Sequence, residues 1–444
     1  MVFISFIFLQ ISSPWSEPVN ISNTPTVNSA LGNGFAMDKY GYLHCAFPDS
    51  AHDGSAGTEI YYVFFNGTEW SHYVNISHSP TLSSWGPAIA TDSFGNVHIT
   101  WEEYETGKIM WTMKTDTGFS TPIPISGSVS GSQASSIAHN PVDNTIHCVW
   151  HSIWNGHIWH SFFNGDSWST PVDVTPSSIF PDDCAWADIA FDSLGRLHLV
   201  FMNYVNNIQI SYGRKTGEKW EYWTDVSNLT SGYNEYPAIA IDSINNVHIV
   251  WQNTEKIYYR YFDGENWSPR ILLPDYPCYY PDIAIDGNGR KHIVWSHFFS
   301  QSSGIPYYTI LEDTQMIIPI ESIGTVVARP FYPHLLIDTG FVHCVWYDYR
   351  GNNGDMFYSR RILYVGITDE RVIFDKSIFP SICFKLNISQ GGYLRIYDIR
   401  GVKVFEKKIN KAQEISLSFL PAGIYFPCWE TRNKKYITKI VYFK

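Results

Sequence analysis

Long apolar runs are missing from this 444-residue sequence. None reaches the roughly 18 residues a helix needs to cross a bilayer. Charge is also sparse, at 16% of residues, and positive charge is the scarcer kind. Thirty Lys and Arg against 42 Asp and Glu leave a net charge of −12, which argues against a nucleic-acid partner because phosphate neutralisation needs a basic face. The seven cysteines form no C-x-x-C pair. Cys45, Cys148 and Cys344 each follow a His in a strand-like phrase whose sister copies carry Ile or Leu. They read as small core residues, so neither a zinc site nor a disulfide framework is indicated, and no metal is expected. What is abundant is apolar and aromatic: 44% hydrophobic residues, with 17 Trp and 29 Tyr. That excludes wholesale disorder and favours sheets. Length alone would suggest about three domains.

Residues 1–14 contain an apolar run from Val2 to Leu9 and read as a truncated signal peptide lacking its positively charged start; an apolar first strand is the alternative. Beyond them a repeat overrides the domain count. MDKYGYLHCAF, TDSFGNVHITW, FDSLGRLHLVF, IDSINNVHIVW and IDGNGRKHIVW recur, with looser copies NPVDNTIHCVW and IDTGFVHCVW. Their histidines, His44, His98, His147, His198, His248, His292 and His343, are 54, 49, 51, 50, 44 and 51 residues apart. Seven such copies fit a seven-bladed β-propeller over residues 15–364, with four strands per blade. In the fifth copy YPAIAID, VHIVW, KIYYRYF and the segment after Trp267 read as those strands.

Closure is also legible. The fourth-strand phrase WSTPVDVT at Trp168 has a counterpart, WSEPVNIS, at Trp15, before any first strand. The seventh copy lacks a fourth strand after MFYSRRILYV. The N-terminal strand is therefore expected to complete the last blade.

The turn between third and fourth strands reads FFNGTEW, FFNGDSW, KTGEKW and YFDGENW. This G-x-x-W, preceded by Asn or Asp in three copies, resembles a degenerate Asp-box of sialidase-like propellers. The resemblance implies that fold; it does not by itself imply sialidase activity. The family's chemistry needs three arginines to clamp a carboxylate, and the loops expected at the substrate face offer only Arg329 and Arg350 clearly.

After Val365 the repeat stops, and short alternating strands suggest a small β-sandwich over residues 365–444. LRIYDIRGVKV, LPAGIYF and the final KIVYFK resemble the C-terminal sorting domain of the bacterial type IX secretion system. The resemblance implies a secreted or outer-surface protein whose tail addresses the export machinery. Charge divides in the same way: the tail has 14 Lys or Arg against 7 Asp or Glu, and the preceding 364 residues have 16 against 35.

A residue repeated in every blade is more plausibly structural than functional, so the repeat histidines are read as inter-blade or turn contacts. Function is sought where the copies differ. The second-to-third-strand loops and those facing them carry Trp85, Tyr104, Trp154, Tyr233, Glu235, Tyr280, Arg329 and Arg350 as candidate ligand contacts. Aromatic platforms beside carboxylates and amides suit sugar rings, whose C–H faces stack while hydroxyls pair with polar groups. Three readings stand. The first is a propeller that binds an extracellular glycan or protein without chemistry. The second is an enzyme: a glycoside hydrolase using carboxylates such as Glu103 and Asp348, or a polysaccharide lyase with His151 or Tyr204 as base. The third is a rigid spacer. No cofactor is called for, and calcium is left open.

Overall fold

The computed structural model describes residues 14–23, 34–50, 57–79, 81–204, 208–223, 225–229, 231–273, 277–300, 302–325, 329–349 and 354–363. In the tail it describes 374–375, 383–386, 392–398, 403–410, 413–416, 423–430, 435–437 and 440–442. All but the last residue of the expected signal peptide, 1–14, lies outside the described residues, as does Arg350. The chain forms two compact units, Met1–Ile362 and Leu363–Lys444.

The first unit is a seven-bladed propeller. Each blade is an antiparallel sheet, and the first strands are Gly34–Met37, Ser84–Thr91, Ser132–His139, Cys184–Phe191, Asn234–Ile241, Cys278–Ile285 and Phe331–Ile337. They pack side by side around the ring, the seventh against the first. In the last blade Val19–Asn20 pairs with Asp355–Ile362, with Val19 opposite Tyr358, and Trp15 bridges Arg361. The N-terminal strand thus closes the ring as its phrase predicted, and Trp15 is buried against the edge of Tyr308.

Why the phrase recurs is visible inside the blades. The residue three places after each repeat histidine is Phe47, Trp101, Trp150, Phe201, Trp251, Trp295 or Trp346, all essentially inaccessible. All of these but Trp346 fall in apolar layers between neighbouring sheets, the main stabilising term of such a ring. The histidine links turn to sheet. In blade 5, Asp242 accepts the backbone N–H of Ile244 and Asn246, fixing the turn, and its other oxygen lies 3.2 Å from His248 Nε2. With Nε2 donating to Asp242, Nδ1 is left to accept the Tyr259 hydroxyl at 2.8 Å. Blades 4, 6 and 7 repeat the relay with Asp192, His198 and Tyr212, with Asp286, His292 and Tyr308, and with Asp338, His343 and Tyr358. Blade 3 replaces the tyrosine with His160, 2.8 Å from His147.

The G-x-x-W turns are equally uniform. Asn66, Asn164 and Asp263 each accept two backbone N–H groups, and Gly67, Gly165 and Gly264 hold φ of 95°, 98° and 102°. Only glycine adopts such a backbone without strain, which explains its retention in this turn.

In the second unit the described strands form two antiparallel sheets, one of three and one of five strands. Leu394, Ile396 and Ile409 are fully buried there.

Candidate functional site

The first strand of six blades breaks register at the same place, and there one residue takes a left-handed backbone. Those residues are Gly86, Ala134, Trp186, Tyr236, Tyr280 and Tyr332, with φ between 46° and 53°. For bulky side chains this conformation costs of order 1–3 kcal/mol and persists where the surroundings enforce it. Here the bulge re-aims each side chain toward the central channel.

The channel is a cavity of about 540 Å³ lined by first strands of every blade. The left-handed column makes its mouth lopsided. Blades 2 and 3 contribute Gly86 and Ala134, whereas blades 4 to 7 contribute Trp186, Tyr236, Tyr280 and Tyr332 in edge or tilted contact. Centroids are 5.5 Å apart for Trp186 and Tyr236, 4.9 Å for Tyr236 and Tyr280, and 4.4 Å for Tyr280 and Tyr332. The aromatic wall therefore faces a side that, among the described residues, carries Gly86 and Ala134 in the left-handed column, with Phe35, Trp85 and Glu102 beside them. Glu102 accepts the Ala134 N–H at 3.0 Å, and burial pushes its carboxyl above the usual range.

Two residues further along each first strand lies a second column, the partner of the residue two places after each repeat histidine: Gly34, Ala88, Ser136, Asp188, Ala238, Asp282 and His334. All seven line the cavity. The carboxylates staple blades together, Asp188 accepting the Ile239 N–H at 3.0 Å and Asp282 the Leu335 N–H at 2.8 Å. Asp188 also takes the Ser136 hydroxyl at 2.8 Å. Burial, reinforced by the Asp282 charge, pushes Asp188 up to about 6 despite these bonds. His334 Nδ1 lies 3.5 Å from Asp282, and the two carboxylates hold the imidazole above its ordinary value against its own burial.

Of the residues expected from sequence, Trp85 and Tyr280 line the cavity. Glu235 is close enough to Tyr204, Tyr236 and Tyr280 for its charge to raise all three phenols, in each case after burial as the larger cause. Arg329 stacks 4.1 Å from the Phe298 ring and 5.2 Å from Phe331, and its charge reaches Tyr280. His151 is buried beside Trp186; loss of hydration lowers it to about 4, and its Nδ1 has no partner among the described residues. Tyr104, Trp154 and Tyr233 are exposed and do not line the cavity. Glu103 and Asp348 need correcting as a carboxylate pair. Glu103 is buried with Thr106 in its own turn, and Asp348 is wholly buried, accepting the Trp346 indole N–H at 2.8 Å. Tyr236, Tyr332, Asp188, Asp282 and His334 escaped the sequence reading because they sit in strands that look like plain apolar filler.

Residues 381–442 match the family model of the secretion system C-terminal sorting domain. The tail is a type IX sorting domain. It places the protein in the secreted or outer-surface fraction of a bacterium. Among solved structures, a protein of unknown function from Dyadobacter fermentans DSM 18053 is 13% identical with a TM-score of 0.53, covering 79% of this chain and all of that one. The polysaccharide lyase Uly1 is 10% identical with a TM-score of 0.51, covering 75% of this chain and 90% of its own. The NanB sialidase of Streptococcus pneumoniae is 11% identical at a TM-score of 0.44, covering 80% and 71%. The two likenesses with TM-scores above 0.5 concern the fold alone and leave the activity to the site. The sequence matches no curated protein.

Proposed function

We propose that this exported propeller binds an extracellular glycan at the channel mouth. The observation that carries the reading is the asymmetry of the left-handed column: four contiguous blades present Trp186, Tyr236, Tyr280 and Tyr332, while the facing blades carry Gly86 and Ala134. A structural ring has no reason to be built half of aromatics in a costly backbone. A sugar stacks its C–H face on such a wall, and hydroxyls reach Glu102 and the tyrosine OH groups opposite. The cavity volume lies within the range of small-molecule sites, about 300–1,000 Å³. An array of bacterial, plant and algal polysaccharides probed with the full chain tests the reading; absence of any carbohydrate signal counts against it.

A hydrolase reading has one observation in its favour. Glu102 and Asp188 line the same cavity, and both carboxyls are pushed upward, as a general acid requires. Product analysis on any polysaccharide bound separates the two. Turnover abolished by Glu102→Gln supports the enzyme, and binding without turnover supports recognition alone.

A further inference from the structure

The chemistry of the cavity narrows the ligand class. Its second column varies from Gly and Ala to Ser136, Asp188, Asp282 and His334, so polar groups gather on blades 3, 4, 6 and 7 rather than around the whole ring. With Glu102, three carboxyl groups face a single imidazole, and no Lys or Arg side chain lines the cavity among the described residues. Arg329, outside the lining, is held over the Phe298 and Phe331 rings, and the imidazole of His334 is already paired with Asp282. Above these acids stands the aromatic wall, whose ring faces attract a cation as it sheds water. Among the described residues no three acidic, His or Cys side chains are grouped to hold a metal ion. The occupant that suits both layers is therefore an organic cation held by π-faces and distant carboxylates.

We propose that the glycan recognised at the mouth carries free amino groups, an amino sugar whose ammonium sits below the aromatic rim and faces Asp188 and Asp282. This rests on the reading of the mouth as a glycan site and specifies its substrate class. A sulfated or uronate-bearing chain would bring like charge into a partly dehydrated cavity, where repulsion is little screened. An N-acetylated sugar would lose the charge and present a methyl group to the carboxylates.

The test compares three probes of equal length by calorimetry with the full chain: glucosamine hexamer, its fully N-acetylated counterpart and hexagalacturonate. The glucosamine hexamer is expected to bind at least about tenfold more tightly than the acetylated one, with the preference weakening as salt is raised. Asp188→Asn and Asp282→Asn together should erase that preference. Should that double variant fail to fold, Ala238→Asp keeps the proposal falsifiable: a carboxylate added at the equivalent site of blade 5 should tighten binding of the amine. Equal or tighter binding of the acetylated or uronate hexamer overturns the amine assignment while upholding the glycan site. No binding of any of the three, with a blank polysaccharide array, overturns both.

Discussion

Acid should weaken this propeller well above the range where surface carboxylates titrate. The reason lies in its buried histidines. Burial lowers His44, His147, His151 and His198 from 6.5 to about 4. Their folded values are depressed, so below pH 6.5 the unfolded chain takes up protons that the folded ring refuses, and stability falls until pH reaches about 4. Between pH 7 and pH 5 each such histidine costs about 2 kcal/mol, or about 8 for the four. Asp188 and His334 act oppositely, both being protonated more readily in the folded state; Asp188, raised from 3.8 to about 6, returns about 1 kcal/mol over the same interval. The net loss is comparable with the whole stability of an ordinary domain, about 5–15 kcal/mol. Urea titrations at pH 7 and pH 5 read it directly, with the midpoint expected to drop sharply at pH 5. His198→Gln, which can still accept the Tyr212 hydroxyl, should shrink the difference between the two pH values by about one histidine's share. A midpoint independent of pH between 7 and 5, or a difference unchanged in the variant, would refute the reasoning.

Three other outcomes are expected. Trp15→Ala should lower stability by about 3–5 kcal/mol in denaturant titration, because it removes a buried indole from the strand that closes the ring. Deleting residues 381–442 should leave the protein inside the cell when surface, medium and periplasmic fractions are immunoblotted, because those residues carry the sorting domain. Gly67→Ala should destabilise by about 1 kcal/mol or more in the same titration, because φ of 95° is strained for any residue with a Cβ.

Much of the scaffold was legible because repetition removes ambiguity. Seven spaced histidines gave the blades, and the stray WSEPVNIS phrase gave the closing strand. The repeated His reads as structural, and the relay through Asp242, His248 and Tyr259 shows the kind of contact that keeps it. The site was less legible because side chains alternate along a strand and a bulge resets the alternation. His98, Thr100 and Glu102 share one face, which points to Glu102 rather than Glu103, and counting from the histidine would have found it. Asp188, Asp282 and His334 are hidden within first strands that are otherwise mostly apolar. Aligning the seven copies column by column exposes them, since that column alone runs from Gly to Asp and His. The aromatic wall had only a partial signal, because nothing in Tyr236 or Tyr332 announces a left-handed backbone.

The central claim is that the mouth binds sugar through that wall, and replacing wall residues by glycine tests it most directly. Trp186→Gly with Tyr236→Gly removes two rings, reproduces what blade 2 already carries at Gly86 and relieves backbone strain. Wild type and variant are probed on one polysaccharide array, with thermal midpoints recorded alongside. The account predicts carbohydrate signals for the wild type that vanish in a variant still cooperatively folded. A folded variant that keeps the wild-type pattern would contradict it.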